Sequence, residues 1–204
     1  MKIRSRKAAM QSRIAQEAAR LLANQEAADF AAARRKAAAR LNSRNQHDLP
    51  DNKEIESALR EYRSLFTDAE DREQHIATLR NQAADAMRAL KEFAPRLSGW
   101  VLAGTADTTT AVQLFLFAET TEQLQIRLME LQIPAQQSSV EIRHANGREI
   151  VHDRFEFSAG ETDFELILLS PGDRSNPPLN PVSGRPEMGA PLAQVERLLS
   201  VEHA

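Results

Sequence analysis

Apolar positions change their period at Pro95. Before it they recur at the spacing of helices buried on one face; after it they come as short runs and as alternation, the spacing of strands. Residues 8–23 place Ile14, Ala18, Leu21 and Leu22 on one helical face. Asp29 offers an N-cap for a second helix reaching Leu41, with a stripe of Phe30, Ala33, Ala37 and Leu41. Residues 42–50 read as a linker, because Asn, Ser, Asp and Pro cluster there and Pro50 disfavours helix at Leu49. Asp51 and Glu54 have the spacing of a capping box, opening a helix through Phe66 that carries Ile55, Leu59, Tyr62, Leu65 and Phe66 on one side. Thr67-Asp68 breaks the run. The clearest helical period follows, in Ile76, Leu79, Ala83, Ala86, Met87, Leu90 and Phe93, until Pro95 stops it.

Beyond Pro95 the pattern predicts inner strands at 100–103 and 112–117, both mostly apolar as strands covered on two faces are. Gly104-Thr105 lies between them as a small-residue turn. Thr120 or Thr121 caps a helix with Leu124, Leu128 and Leu131, ended by Pro134. A strand at 140–144, the hairpin signal Asn146-Gly147 and a return strand at 149–157 come next, then a strand at 164–169. The prolines of 170–190 rule out regular structure there, and a terminal helix at 191–201 buries Leu192, Val195, Leu198 and Leu199. The fold class is therefore α+β: an N-terminal helical region followed by a small mixed β-sheet. Three parts are expected: a basic helical arm at 1–44, a helical segment at 45–98 packing on the sheet domain, and the sheet domain at 99–204.

Charge sharpens this division. The net charge of −3 over 204 residues hides 11 Lys and Arg in residues 1–44 against only Glu17, Glu26 and Asp29, so the arm carries about +8. The rest carries about −11. A basic arm on an acidic body is either a solvated helix face or a contact for nucleic acid, a protein, an anionic surface, the body itself or a second copy in a homo-oligomer. The arm holds no interleaved aromatic except Phe30, so nucleic acid would be met through phosphate rather than by base stacking. The chain has no cysteine, which excludes disulfides, thiolate metal sites and a Cys nucleophile. No apolar run approaches the roughly 18–20 residues of a bilayer span and no secretory signal is evident, so no membrane partner is expected and a cytoplasmic location is.

Few residues carry recognisable chemistry. There is no Walker lysine loop, no paired-glycine dinucleotide fingerprint and no Gly-x-Ser-x-Gly elbow. The histidines are dispersed, with His144 and His152 on the two hairpin strands. Asp107 follows the Gly104-Thr105 turn, as a site acid or as a turn residue. Alternation turns Glu165 to the strand face opposite Phe164, where it is either a cleft carboxylate or a solvent-facing one. Gln113 offers an amide that hydrogen-bonds a base, sugar or phosphate, or a neighbouring polar group. Arg185, in the rigid sequence Asn-Pro-Val-Ser-Gly-Arg-Pro at 180–186, is either an anion clamp or part of a strap across the sheet.

The order of elements, with Gly104-Thr105 after the first strand, resembles the nucleotidyltransferase fold. Members of that superfamily have a small mixed sheet, a Gly-Ser turn that holds nucleotide phosphates, an Asp-x-Asp pair on the next strand and a third carboxylate on a later one. The carboxylates bind two magnesium ions that activate the attacking oxygen and neutralise the leaving pyrophosphate. Here Gly104-Thr105 corresponds to Gly-Ser, Ala111-Val112-Gln113 to Asp-x-Asp, and Glu165 to the third carboxylate. The whole layout, with RRKAAARLN, NKEIESALREYRSLF, GTAD…VQLFLFAET and PPLNPVSGRP, is similar to a bacterial group described only as nucleotidyltransferase-like. The resemblance implies a nucleoside triphosphate and Mg2+ as ligands. Gly104, Thr105, Gln113 and Arg185 would bind the nucleotide, and Asp107 and Glu165 would act as catalytic and metal-binding acids. The two readings it leaves are transfer of a nucleoside monophosphate and a degenerate interaction module working through its basic arm.

Overall fold

The computed structural model describes residues 2–24, 26–27, 29–43, 49–64 and 69–202. Contacts divide the chain into two compact units, Met1–Ala69 with Pro181–Gly184, and Glu70–Asn180 with Arg185–Ala204.

Among the described residues the first unit holds three helices: α1 (Lys2–Ala23), α2 (Phe30–Arg40) and α3 (Asn52–Ser64). Both sequence-predicted caps form. Asp29 accepts a hydrogen bond from Ala32 N at 2.6 Å, and Asp51 and Glu54 exchange reciprocal 2.8 Å bonds, so orphan amides at the starts of α2 and α3 are satisfied. α1 packs on α2 and α3, burying Ile14, Ala18 and Leu21 along with Phe30, Ala33, Ala37, Ile55 and Leu59. Alanines let the helices approach closely but remove little apolar area from water. A ring of charge supplements them. Arg20 reaches Glu17 and Glu26 at 3.0 and 3.1 Å, and Arg40 reaches the same two carboxylates at 2.9 and 2.8 Å. Asn52 ties in the segment Pro181–Gly184 by donating to Pro181 O, while its own Oδ1 accepts from Arg34 at 2.6 Å. The expected helix contacts of Leu65 and Phe66, the Thr67-Asp68 break and positions 44–48 of the linker lie outside the described residues.

The second unit begins within α4 (Ala69–Ala89), whose Ile76, Leu79, Ala83 and Met87 are buried as their period predicts, as is Leu90 just after it. Then come β1 (Arg96–Ser98), the five-residue helix α5 (Gly99–Ala103), β2 (Val112–Phe117), α6 (Thr121–Glu130), β3 (Gln136–Arg143), β4 (Glu149–Ala159), β5 (Thr162–Leu169), β6 (Ala190–Pro191) and α7 (Leu192–Glu202). The expected helical segment 45–98 is thus divided, α3 falling in the first unit and α4 in the second.

Among the described residues the strands form one six-stranded sheet in the order β3-β4-β5-β2-β1-β6. Only β2 and β5 pair in parallel; the other pairs are antiparallel, which makes the sheet mixed and the unit α+β. The Asn146-Gly147 turn joins β3 to β4 as expected. One face of the sheet, carrying Val112, Leu114, Leu116, Phe164, Leu166 and Leu168, packs into a core with residues of α4, α6 and α7. The opposite face carries a second cluster of Phe115, Phe117, Ile167 and Leu169, flanked by Val140 and Ile142.

Two expectations are corrected. Residues 100–103 are helix rather than strand, because the three-residue β1 ends at Ser98 and the chain turns at Gly99. Apolarity alone does not distinguish a short buried helix from a short buried strand. The 170–190 stretch contains a 3-10 turn at Pro171–Ser175, closed by a capping box between Ser170 and Asp173, and the two-residue strand β6. Proline is compatible with both, at the first position of the turn and on an edge strand.

Gly189, just before β6, has φ +73°, and a Cβ there would lie 2.5 Å from Leu97 O. Gly189→Ala therefore adds a backbone clash to left-handed strain and should cost more than the roughly 1 kcal/mol of strain alone. Gly147→Ala, at φ +82° with open space around it, should cost only the strain. Urea unfolding followed by the fluorescence of Trp100, the sole tryptophan, compares them. In the first unit, the guanidinium of Arg20 foremost holds Glu17 below its ordinary value of 4.5, and that of Arg40 foremost does so for Glu26. Their stabilising contribution is present above that value and is lost as pH falls through the lower folded values. Hydrogen-exchange protection of α1 and α2, corrected for intrinsic rates, should fall on acidification, and Glu17→Gln/Glu26→Gln should remove that dependence.

Candidate functional site

The parallel register of β2 and β5 sets Gln113 directly beside Glu165, and the antiparallel register of β4 and β5 sets Glu156 on Glu165's other side. Side chains at these positions share the sheet face opposite the helices, since strand residues alternate. Two glutamates directly opposite one another repel. Arg154, on the same face of β4, resolves the repulsion: its Nη1 reaches Glu165 Oε1 at 3.1 Å and its Nη2 reaches Glu156 Oε2 at 3.2 Å. Its Nε donates to Ser138 Oγ at 2.9 Å, and that hydroxyl donates onward to Glu156 at 3.1 Å.

On the β2 side, Gln113 Nε2 donates to Glu165 Oε2 at 2.7 Å and Gln113 Oε1 accepts from Ser98 Oγ at 2.8 Å. The amide orientation follows from chemistry, because a carboxylate accepts and only the NH2 end of glutamine donates. A continuous polar chain, Ser98–Gln113–Glu165–Arg154–Ser138–Glu156, thus runs across five strands from β1 to β3. Sequence reasoning found Gln113 and Glu165 but missed Ser98, Ser138, Arg154 and Glu156. Alternation in His152–Phe157 would have placed Arg154 and Glu156 on one face; the register that sets them against Glu165 was not legible.

The other expected site residues are placed differently. Gly104 adopts φ +71° and ends α5 as its C-cap, donating to Val101 O at 3.3 Å, and Thr105 N donates to Trp100 O at 3.0 Å. These amides serve the helix end, so the turn does not present them to a phosphate. Arg80 of α4, buried, donates from Nε to Val101 O at 3.2 Å and from Nη2 to Leu102 O at 3.1 Å, placing a cation at the negative end of α5. Asp107 closes its own turn, its Oδ1 accepting from Thr109 N, Thr109 Oγ1 and Thr110 Oγ1 at 3.1, 2.9 and 2.7 Å. His75 Nε2 meets the Asp107 carbonyl at 3.1 Å. Arg185 is exposed, and its main-chain carbonyl accepts from Asn180 N at 2.8 Å to close the 180–185 turn. Of the six expected site residues the structure thus joins Gln113 and Glu165 directly, while Gly104 and Thr105 cap a helix and Asp107 and Arg185 organise turns.

These residues do not fit a magnesium ion. Both oxygens of Glu165 are engaged, and one of their partners is a guanidinium that repels a second cation. Among the described residues no group of three or more His, Asp or Glu is placed to hold a metal ion. The arrangement orders the sheet face and presents a partly exposed row of alternating donors and acceptors.

Arg154→Met should leave the opposed Glu156 and Glu165 without their shared cation and destabilise the second unit by about 1–3 kcal/mol. Adding Glu165→Gln should recover part of that loss, with a coupling on the order of 0.5–2 kcal/mol in a double-mutant cycle measured by urea unfolding. No protein-family model, curated protein or solved structure gives a match to this chain.

Proposed function

We propose that this chain is a catalytically degenerate protein of nucleotidyltransferase-like build that works as an interaction module, its basic helical unit binding nucleic acid through phosphate. The observation that carries the first half is the engagement of Glu165. The acid that corresponds to the third catalytic carboxylate is bonded on one oxygen to Gln113 and on the other to Arg154. Gln113 stands at an Asp position, and an amide neither releases a proton nor adds the negative charge that a divalent cation needs. A site that has exchanged metal ligands for an internal ion pair and an amide bridge has lost the means to organise a leaving pyrophosphate.

The second half rests on where charge lies in the first unit. Arg20 and Arg40 are matched by Glu17 and Glu26 in a ring that is itself neutral, so the excess of about +8 in residues 1–44 belongs to the remaining cations there, and the more acidic 45–69 leave the unit as a whole at about +5. Lys7, Arg13, Arg35 and Lys36 are exposed on α1 and α2. Helices that hold several exposed Lys and Arg on a fixed frame suit phosphate contacts, which release counterions and give affinity without sequence preference. Phe30, the sole aromatic of residues 1–44, is buried, so α1 and α2 give base stacking no platform.

Fluorescence anisotropy of labelled single-stranded and duplex oligonucleotides across a salt series tests this in the full chain. Affinity should fall steeply with salt, and Arg13→Gln, Arg35→Gln and Lys36→Gln should each weaken binding to all sequences alike and reduce the salt slope by about 1. Binding that ignores both salt and these substitutions would remove the arm as the contact. Incubation with ATP, GTP, CTP or UTP and magnesium should yield no transfer of a nucleoside monophosphate; transfer abolished by Glu165→Gln would overturn the degenerate reading.

A further inference from the structure

At the end of the sheet away from Glu165, two histidines are buried in ring-to-ring contact. His144 follows β3 and is 0% exposed; His152 lies on β4 and is 7% exposed. Their Nε2 atoms are 2.8 Å apart. His144 Nδ1 lies 2.6 Å from Asn176 O, and His152 Nδ1 lies 3.2 Å from Leu168 O. Each carbonyl only accepts, so both Nδ1 atoms must carry hydrogen for these contacts to be favourable. The 2.8 Å contact between the two Nε2 atoms needs a third hydrogen. Two neutral imidazoles carry only two: the tautomers that keep the 2.6 and 2.8 Å contacts leave His152 Nδ1 bare against the Leu168 carbonyl at 3.2 Å, lone pair to lone pair. Two imidazoliums carry four, which sets N–H against N–H.

We propose that His144 and His152 together hold one extra, shared proton, and that this charge, set against Asp173, latches the β3–β4 turn and the 170–179 loop to the sheet. Asp173 supplies independent support. It is buried, its Oδ2 accepts from Ser170 N and Oγ at 2.8 and 2.9 Å, and its Oδ1 lies 3.8 Å from His144 Nδ1. A buried carboxylate is stabilised by a positive neighbour beyond what its hydrogen bonds supply.

The other charged groups around the pair are committed elsewhere or exposed. Asp153 bonds Thr121 and Gln137 on the opposite sheet face, and Arg154 is held by Ser138, Glu156 and Glu165. The Arg174 guanidinium lies 4.4 Å from the Phe117 ring centroid, and Arg143 and Arg148 are exposed. β5 contributes two ionisable side chains, Glu165 and Asp163, and Asp163 accepts from Ser158 Oγ.

The latch joins segments distant in sequence. Around the pair, Ala145 N donates to Pro177 O, Asn146 N to Asn176 Oδ1 and Leu179 N to Arg143 O, at 2.9, 2.9 and 2.8 Å. A second proton would convert the central contact from attraction to repulsion. Burial first, and the neighbouring His144 after it, push the His152 ring below the ordinary imidazole range, against an opposing pull from Asp173. The folded chain therefore resists the second proton while the unfolded chain accepts it near the ordinary value of 6.5, so the latch weakens as pH falls below that value toward the lower folded one.

Long-range proton–nitrogen correlation spectra of the full, 15N-labelled chain count the ring protons directly, with His47→Asn, His75→Asn and His203→Asn used one at a time for assignment. At pH 7 both Nδ1 atoms should be protonated and one proton should be shared between the Nε2 atoms. Two neutral rings, or a bare Nδ1 on either histidine, would overturn the proposal. In the same sample, amide exchange at Ala145, Asn146 and Leu179, corrected for intrinsic rates, should rise about tenfold for each pH unit between 6.5 and the second protonation. Unchanged protection at these amides would reject the latch even if the proton count held.

Discussion

Everything in the second unit is referred to one pairing, the parallel register of Val112–Phe117 against Phe164–Leu169. These two strands occupy the middle of the sheet and are apolar on both faces along most of their length, so each must be covered twice. One set of side chains meets the helices α4, α6 and α7; the other forms the cluster around Phe115, Phe117, Ile167 and Leu169. A slip of one residue would exchange the two sets, exposing apolar side chains and burying Gln113 and Glu165 among helices. The register is therefore held by burial on both sides. The polar chain at one end of the opposite face and the histidine pair at the other exist because that register is fixed.

Several partly buried charged groups of this protein meet an answer within hydrogen-bonding distance. Arg154 bridges two opposed glutamates, Arg20 and Arg40 alternate with Glu17 and Glu26, and Arg80 satisfies carbonyls at the end of α5. Such groups contribute modestly to stability where water reaches them, but removing one leaves the others unmatched. The consequence for function is direct. A carboxylate already claimed by a guanidinium and an amide is a poor cation ligand, and the same residues that resemble a catalytic constellation in their order behave as a structural one in their contacts.

The sequence by itself determined the local features. Caps at Asp29 and Asp51, the buried face of α4, the Asn146-Gly147 turn and the change from helical to strand period were legible because each depends on residues a few positions apart. It did not distinguish helix from strand at 100–103, where four apolar residues satisfy either pattern. It also placed Glu165 and Gln113 on strands without revealing their neighbours. Only the tertiary structure decided that Arg154 stands between Glu156 and Glu165, that Gly104 and Thr105 spend their amides on a helix end, and that His144 and His152 meet at 2.8 Å. The physical reason is that strand register and loop return are collective: they are settled by burying two faces of a sheet at once, and no window of neighbouring residues contains that information.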